Sequence, residues 1–258
     1  MKPWYLALLA APLALAAAAY AQEPAAERVL VPAGEATVGA DMAEVEAALA
    51  GTKGRPSWCK DETPKRKVKT AGFQIDRLEV TNERYKSLFP DHSYPPNLGK
   101  HPAVNVTWAK ADEFCKKAGG RLPREEEFER AARGDDGRIY PWGNAFDQEK
   151  VIYMDTPGAS RLKIGSFDIE TSGENVMGGA APAGSRPAGA SPYGALDMAG
   201  NVWEWQEGWY DEKKRLRPLK GGSWLTPQAS LRASARLGDD GTRLFNDYGF
   251  RCVYEAGR

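Results

Sequence analysis

The densest chemistry in the sequence lies in Tyr193-Gly-Ala-Leu-Asp-Met-Ala-Gly-Asn-Val-Trp-Glu-Trp205. This stretch gathers two tryptophans, an aspartate, a glutamate, an asparagine and two glycines. Asp197 and Glu204 are hard oxygen donors, and backbone carbonyls between them can complete the shell of a cation such as Ca²⁺. On a strand, Trp203 and Trp205 point to one face and Glu204 to the other. One face can then be core while the other holds a polar site. The same residues also fit a turn followed by a core strand, with Glu204 simply paired to an arginine.

Thiol and imidazole chemistry is sparse. Cys59, Cys115 and Cys252 allow one disulfide and one cysteine left over if the compartment is oxidising. The two histidines, His92 and His101, cannot make a His-triad metal centre and read as structural or exposed. No spacing supports a Ser-His-Asp set or an acid–base pair of carboxylates. Asp168-x-Glu170-x-Ser172-Gly173 lacks the carboxylate an EF-hand needs at its twelfth position, and no Gly-rich phosphate loop is present.

Short elements have to position these groups. Arg28 to Val38 alternates as a strand broken at Pro32, and Met42 to Ala50 suits a short helix. Arg66 to Asp76 alternates again, with Arg77 to Val80 continuing the strand. Thr81 is a good N-cap for a helix over Asn82 to Phe89, stopped by Pro90. Thr107 caps a second helix whose Trp108, Ala111, Phe114, Cys115 and Ala118 form one buried stripe, closed by Gly119-Gly120. A third helix spans about Glu125 to Arg133, and its three leading glutamates read as a solvated, dipole-favoured first turn. The chain from Gly137 to Pro192 is mostly irregular, too long a loop to lack a purpose. Leu219 to Trp224 reads as a strand entry and Asp247 to Val253 as a closing strand.

Lys2, an apolar run from Leu6 to Ala19 and the small-x-small Ala19-Tyr20-Ala21 predict a signal peptide over residues 1–21. A tail at 22–27 and one domain at 28–258 follow. The expectation is a periplasmic or secreted protein without a transmembrane anchor. Lys plus Arg (35) balances Asp plus Glu (35), which argues against a nucleic-acid partner. Abundant Gly, Pro and Trp point to a chain of short elements and structured loops pinned by aromatic side chains.

Five ordered motifs carry a resemblance: Arg121-Leu-Pro-Arg-Glu-Glu-Glu-Phe-Glu-Arg-Ala-Ala-Arg-Gly134, Tyr140-Pro-Trp-Gly-Asn144, Gly200-Asn-Val-Trp-Glu-Trp205, Lys220-Gly-Gly-Ser-Trp224 and Gly249-Phe-Arg251. With Ile75 to Asn82 and His101 to Trp108, the sequence resembles the formylglycine-generating enzyme (sulfatase-modifying factor) family. The resemblance implies a mixed α+β, distantly C-type-lectin-like fold with little regular secondary structure and bound calcium. It places one calcium site on the side chains of Asp197 and Glu204 and the carbonyls of Gly200 and Val202. A weaker one falls on Asn175 and Met177, where an upstream ligand is replaced by Ile152. It also implies a Cys115–Cys252 disulfide, leaving Cys59 unpaired, and makes Arg251 the buried partner of an acid.

The catalytic branch carries two cysteines after the Gly-Gly-Ser element, and here those positions are Thr226 and Leu231. Neither can form a thiolate or bind Cu(I), so no copper is expected. The remaining cysteines stand far from the motif in sequence. A persisting family groove would have Ser223, Trp224, Thr226, Arg232 and Arg236 on its floor, suited to a peptide or an acidic ligand, and the expected partner is a protein or peptide. The alternative is a core Trp224, with the arginines paired to Asp239, Asp240 and Asp247. The resulting expectation is a non-catalytic binding or scaffold domain. The other readings are a cysteine-independent periplasmic maturation enzyme acting on a peptide or siderophore and, last, a copper-dependent oxidase.

Overall fold

The structure, a computed structural model, describes residues 26–52, 54–156 and 179–256. The signal-peptide reading, the Asp168 loop and the weaker metal site at Asn175 and Met177 lie outside the described residues. Among those described, no helix is long and apolar enough to cross a membrane.

Among the described residues, the fold has three small sheets and four short α-helices. The strands β1 (Arg28–Val31), β4 (Phe73–Asp76) and β9 (Val253–Glu255) form one antiparallel sheet. The start and end of the described chain therefore flank the same central strand. β2 (Gly34–Val38) pairs with β3 (Arg66–Thr70). The third sheet runs β7 (Arg236–Asp240), β6 (Leu216–Lys220), β5 (Trp203–Trp205), β8 (Tyr248–Gly249), with β5 and β8 parallel.

The helices follow their caps. Beyond α1 (Met42–Leu49), Thr81 accepts a bond from Arg84 N at the start of α2 (Asn82–Leu88). Thr107 does the same from Lys110 N for α3 (Trp108–Lys117). α4 (Glu125–Arg133) ends at Gly134, whose φ of 67° few side chains tolerate. The α3 stripe packs Phe114 and Cys115 against Tyr85, Trp203, Trp205 and Phe250, and a disulfide joins Cys115 to Cys252. This staple couples the middle of the chain to its end, which restricts the unfolded ensemble strongly for so long a loop.

Three elements differ from the sequence reading. Arg66 to Val80 is two strands in two sheets, because the chain turns at Ala71-Gly72; a Cβ on Gly72 would sit 3.1 Å from Ala33 N. Leu219 is near the exit of β6, and Gly221 and Gly222 (φ 95° and 78°) turn the chain away. Asp247 to Val253 splits into β8 and β9, so Phe250, Arg251 and Cys252 span the gap between two sheets. That gap is where Arg251 and Cys252 act.

Candidate functional site

β5 is short because the chain reaches it through a tight left-handed turn. Asp197, Gly200 and Asn201 all have positive φ (54°, 77° and 60°), and a Cβ on Gly200 would lie 2.3 Å from the Ile152 carbonyl. Asn201 locks this turn: its Oδ1 accepts from Ala181 N (2.9 Å) and its Nδ2 donates to Glu79 (2.8 Å). Glu79 also accepts from Val202 N (3.3 Å). Asp197 accepts from Gly184 N (2.5 Å). Beyond the turn, Trp203 and Trp205 enter the core while Glu204 faces the other way, as the alternation predicts.

Glu204 meets Arg251, a fully buried pair closed by two 2.7 Å bonds. Arg251 also donates to the carbonyls of Asp76, Arg77 and Leu196. Three buried carboxylates, Glu79, Asp197 and Glu204, thus lie within the field of one guanidinium. Burial pushes the Glu79 carboxyl well above its usual range, and Asp197 and Glu204 push it further while Arg251 opposes them. Burial also raises Asp197 against the Gly184 N–H and Arg251, and raises Glu204 against its ion pair. Nearby Asp76 has its own partner in Arg84 (2.6 Å).

An excess of buried negative charge suits a divalent cation. Each Glu204 oxygen receives one bond from Arg251 and keeps a second lone pair, so the pair does not preclude ligation. Among the described residues, no three His, Cys, Asp or Glu side chains are arranged to hold a metal. A cation here would have to draw largely on backbone carbonyls.

The segment that would carry the thiols is closed differently. Thr226 Oγ1 accepts from Ser223 N (2.8 Å) and donates to the Ser223 carbonyl (2.9 Å), forming a compact turn. Leu231 is fully buried with Tyr140, Val151 and Ala199. Ser223 is buried and donates to Asp247 (2.7 Å), whose carboxyl burial raises against that bond. Trp224 is buried, and its Nε1 has no partner among the described residues.

The proposed groove floor is corrected at its arginines. Arg232 is 2 % exposed and holds Glu62 through two 2.6 Å bonds, with Ser234 also donating to Glu62. Arg236 holds Glu125 (2.6 and 2.8 Å). Neither pairs with Asp239, Asp240 or Asp247, because the chain between β6 and the start of β7 turns these arginines toward Glu62 and Glu125, acids distant in sequence. The leading glutamates of α4 are corrected too: Glu125 is taken by Arg236 and Glu127 by Arg121 (2.6 Å), so only part of that turn is solvated.

Cys59 is far from this segment in sequence but touches it in space. Its sulfur lies 3.2 Å from Arg232 Nη2, and the residue packs on Ala229. Sequence distance was therefore no ground for setting it aside. The valid grounds are that it stands alone and that burial raises its thiol pKa, with Arg232 only partly opposing. Glu62 and Glu79, the acids that organise both regions, were not singled out by local pattern, although Glu79 lies within the Ile75 to Asn82 motif.

A family model described as "Sulfatase-modifying factor enzyme 1-like domain" matches residues 14–256. "Inactive C-alpha-formylglycine-generating enzyme 2" of Bos taurus is 37% identical over 164 residues, covering 61% of this chain and 51% of that protein. "Formylglycine-generating enzyme" of Thermomonospora curvata is 35% identical over 178 residues, covering 59% and 55%. The chain thus spans about half the length of these curated relatives. Among solved structures, PvdO from Pseudomonas aeruginosa superposes with a TM-score of 0.66 at 22% identity, covering 89% of this chain and 94% of that one. That likeness establishes the shared fold.

Proposed function

Because the chain belongs to the sulfatase-modifying factor family, we propose that it is a non-catalytic member: an exported, calcium-stabilised domain that binds a protein or peptide. One observation carries this reading. At the two positions where the catalytic branch needs thiols, this chain has a hydroxyl locked into the Ser223 turn and a leucine buried in the core. A thiol-for-metal exchange has no nucleophile there. The third cysteine is single and held protonated by burial.

Similarity to both an inactive and an active relative leaves the decision to the site itself. Export is supported by the apolar run ending at Ala19-Tyr20-Ala21 and is compatible with a structural disulfide. Calcium is supported by the excess of buried carboxylate around Arg251. Asp197 and Glu204 would hold the ion with the Gly200 and Val202 carbonyls, as a structural ligand that neutralises charge.

The test is direct. Offered a Cys-x-Pro-x-Arg peptide with copper and oxygen, the protein is expected to form no aldehyde above background by mass spectrometry. Turnover that disappears in Cys59→Ser would overturn the reading.

A further inference from the structure

A second concave surface lies between the start of α3, the turn after β5 and the β6–β7 hairpin. It encloses about 620 Å³, a volume typical of small-ligand sites. At its centre the Arg217 guanidinium is sandwiched between two indoles, 3.6 Å from the Trp108 ring centroid and 3.4 Å from that of Trp209. The stack is preformed. Trp108 Nε1 donates to the Gln206 carbonyl (2.7 Å), and Arg217 Nη1 donates to that of Gly208 (2.7 Å). A Cβ on Gly241 would sit 3.0 Å from both Trp108 and Arg217. Trp209 remains 38% exposed.

The charge of this groove departs from that of the chain, which balances overall. Lys214, Arg215, Arg217 and Arg243 line it against Asp240 alone, and Asp240 already accepts from Thr242 N (2.9 Å). Among the described residues, neither Arg215 nor Arg217 has a carboxylate at ion-pair distance. Lys214 and Arg243 have only long, exposed contacts to Asp211 and Asp239 (3.3 and 3.6 Å). Trp108 also opens the ten-residue α3, and its backbone N–H is held by the Gly241 carbonyl (2.9 Å), which fixes the indole at the groove edge. Burial lowers the Arg217 pKa and Arg215 adds repulsion, with Asp112 opposing; a bound anion would supply the counter-charge.

We propose that this groove binds an anionic saccharide, its carboxylate or sulfate held by Arg215 and Arg217 and a ring face laid on Trp209. The unpaired guanidiniums supply forked donors for such an acid group, and an exposed indole offers a flat apolar platform to a sugar ring. The lining includes only Ala109 and Leu216 as aliphatic residues, so a peptide would find no deep side-chain socket. The site is independent of the thiol positions and of the carboxylates around Arg251.

Calorimetric titration of the whole protein tests this with an oligogalacturonate, a heparin-derived tetrasaccharide, neutral maltotriose and a Glu-rich peptide. At least one acidic saccharide should bind tenfold or more tighter than maltotriose, weaken with salt and quench tryptophan fluorescence. The two acidic sugars separate carboxylate from sulfate preference. Trp209→Ala and the exposed Arg215→Ala should each weaken binding about tenfold or more, Arg215→Ala without a change in melting temperature. The proposal falls if neither acidic saccharide binds, if the Glu-rich peptide binds as tightly, or if both variants bind like the wild type.

Discussion

Two buried arginines, Arg251 and Arg232, each grip a glutamate through both carboxylate oxygens, yet their surroundings differ. Around Arg232 the charges cancel: Glu62 is its counter-ion, Ser234 fills a further acceptor site, and Cys59 offers a neutral thiol. Around Arg251, Glu204 is only one of three buried carboxylates, with Glu79 raised in pKa by burial and by the fields of Asp197 and Glu204, and Asp197 raised by burial. The same ion-pair geometry therefore serves a finished structural joint in one place and an unbalanced one in the other. A buried pair is weak support for stability by itself; what distinguishes the regions is the charge left over.

The largest expected effect separates the two arginines. Arg251→Met should cost about 4–5 kcal/mol or prevent folding, since it strands several buried carboxylates, whereas Arg232→Met should cost about 3 kcal/mol. Denaturant unfolding of both variants checks this order. Equal costs would mean that the extra carboxylates are not felt.

Calcium is the next lever. At one hundred times its Kd, an ion bound only to the native state adds about 2.7 kcal/mol, so chelation should lower the melting temperature. Glu204→Gln should abolish most of that response, and Glu62→Gln should leave it intact. An unchanged melting curve in chelator, with no calcium found by metal analysis, removes the distinction.

A smaller effect follows at the remaining acids. In chelator, Glu79→Gln should shift stability by no more than about 1 kcal/mol, because it deletes surplus charge but leaves the Asn201 Nδ2 or the Val202 N–H without its acceptor. Glu62→Gln should destabilise by about 1–3 kcal/mol, because it leaves Arg232 without its counter-ion. Thermal melts of the two variants side by side decide it.

The smallest change concerns Cys59. Burial raises its pKa, so native alkylation should stay slow at pH 8 and accelerate only above the ordinary thiol range of about 8.5. Iodoacetamide labelling followed by peptide mapping reads this. Rapid labelling of native Cys59 at pH 7 would show a thiolate stabilised by Arg232, and the neutral-joint description would fail.

Much of the frame was legible in the residues themselves. Thr81 and Thr107 announce their helices because a cap bond spans only three residues. The α3 stripe and the Trp203/Trp205 alternation follow from helix and strand periods, and the loss of thiols at Thr226 and Leu231 needs no coordinates. The family motifs added the Cys115–Cys252 link, which the structure contains. Two readings of Glu204 stood open, and the structure supplies the arginine partner without removing its ability to ligate.

The sequence by itself determined the short-range features, because caps, turns and alternation are set by neighbours within a few residues. Only the tertiary structure decided which charge meets which. Glu62 and Arg232 lie 170 residues apart, and Arg251 and Glu204 lie 47 apart. Glu204 and Lys220 are direct partners in the β5–β6 register, yet Glu204 turns to Arg251 and Lys220 to Glu129 (2.9 Å). The splitting of the closing segment between two sheets likewise set Arg251 into the gap beneath the Asp197 turn. Such pairings depend on where separate elements pack and how much water they exclude, and no local pattern encodes that.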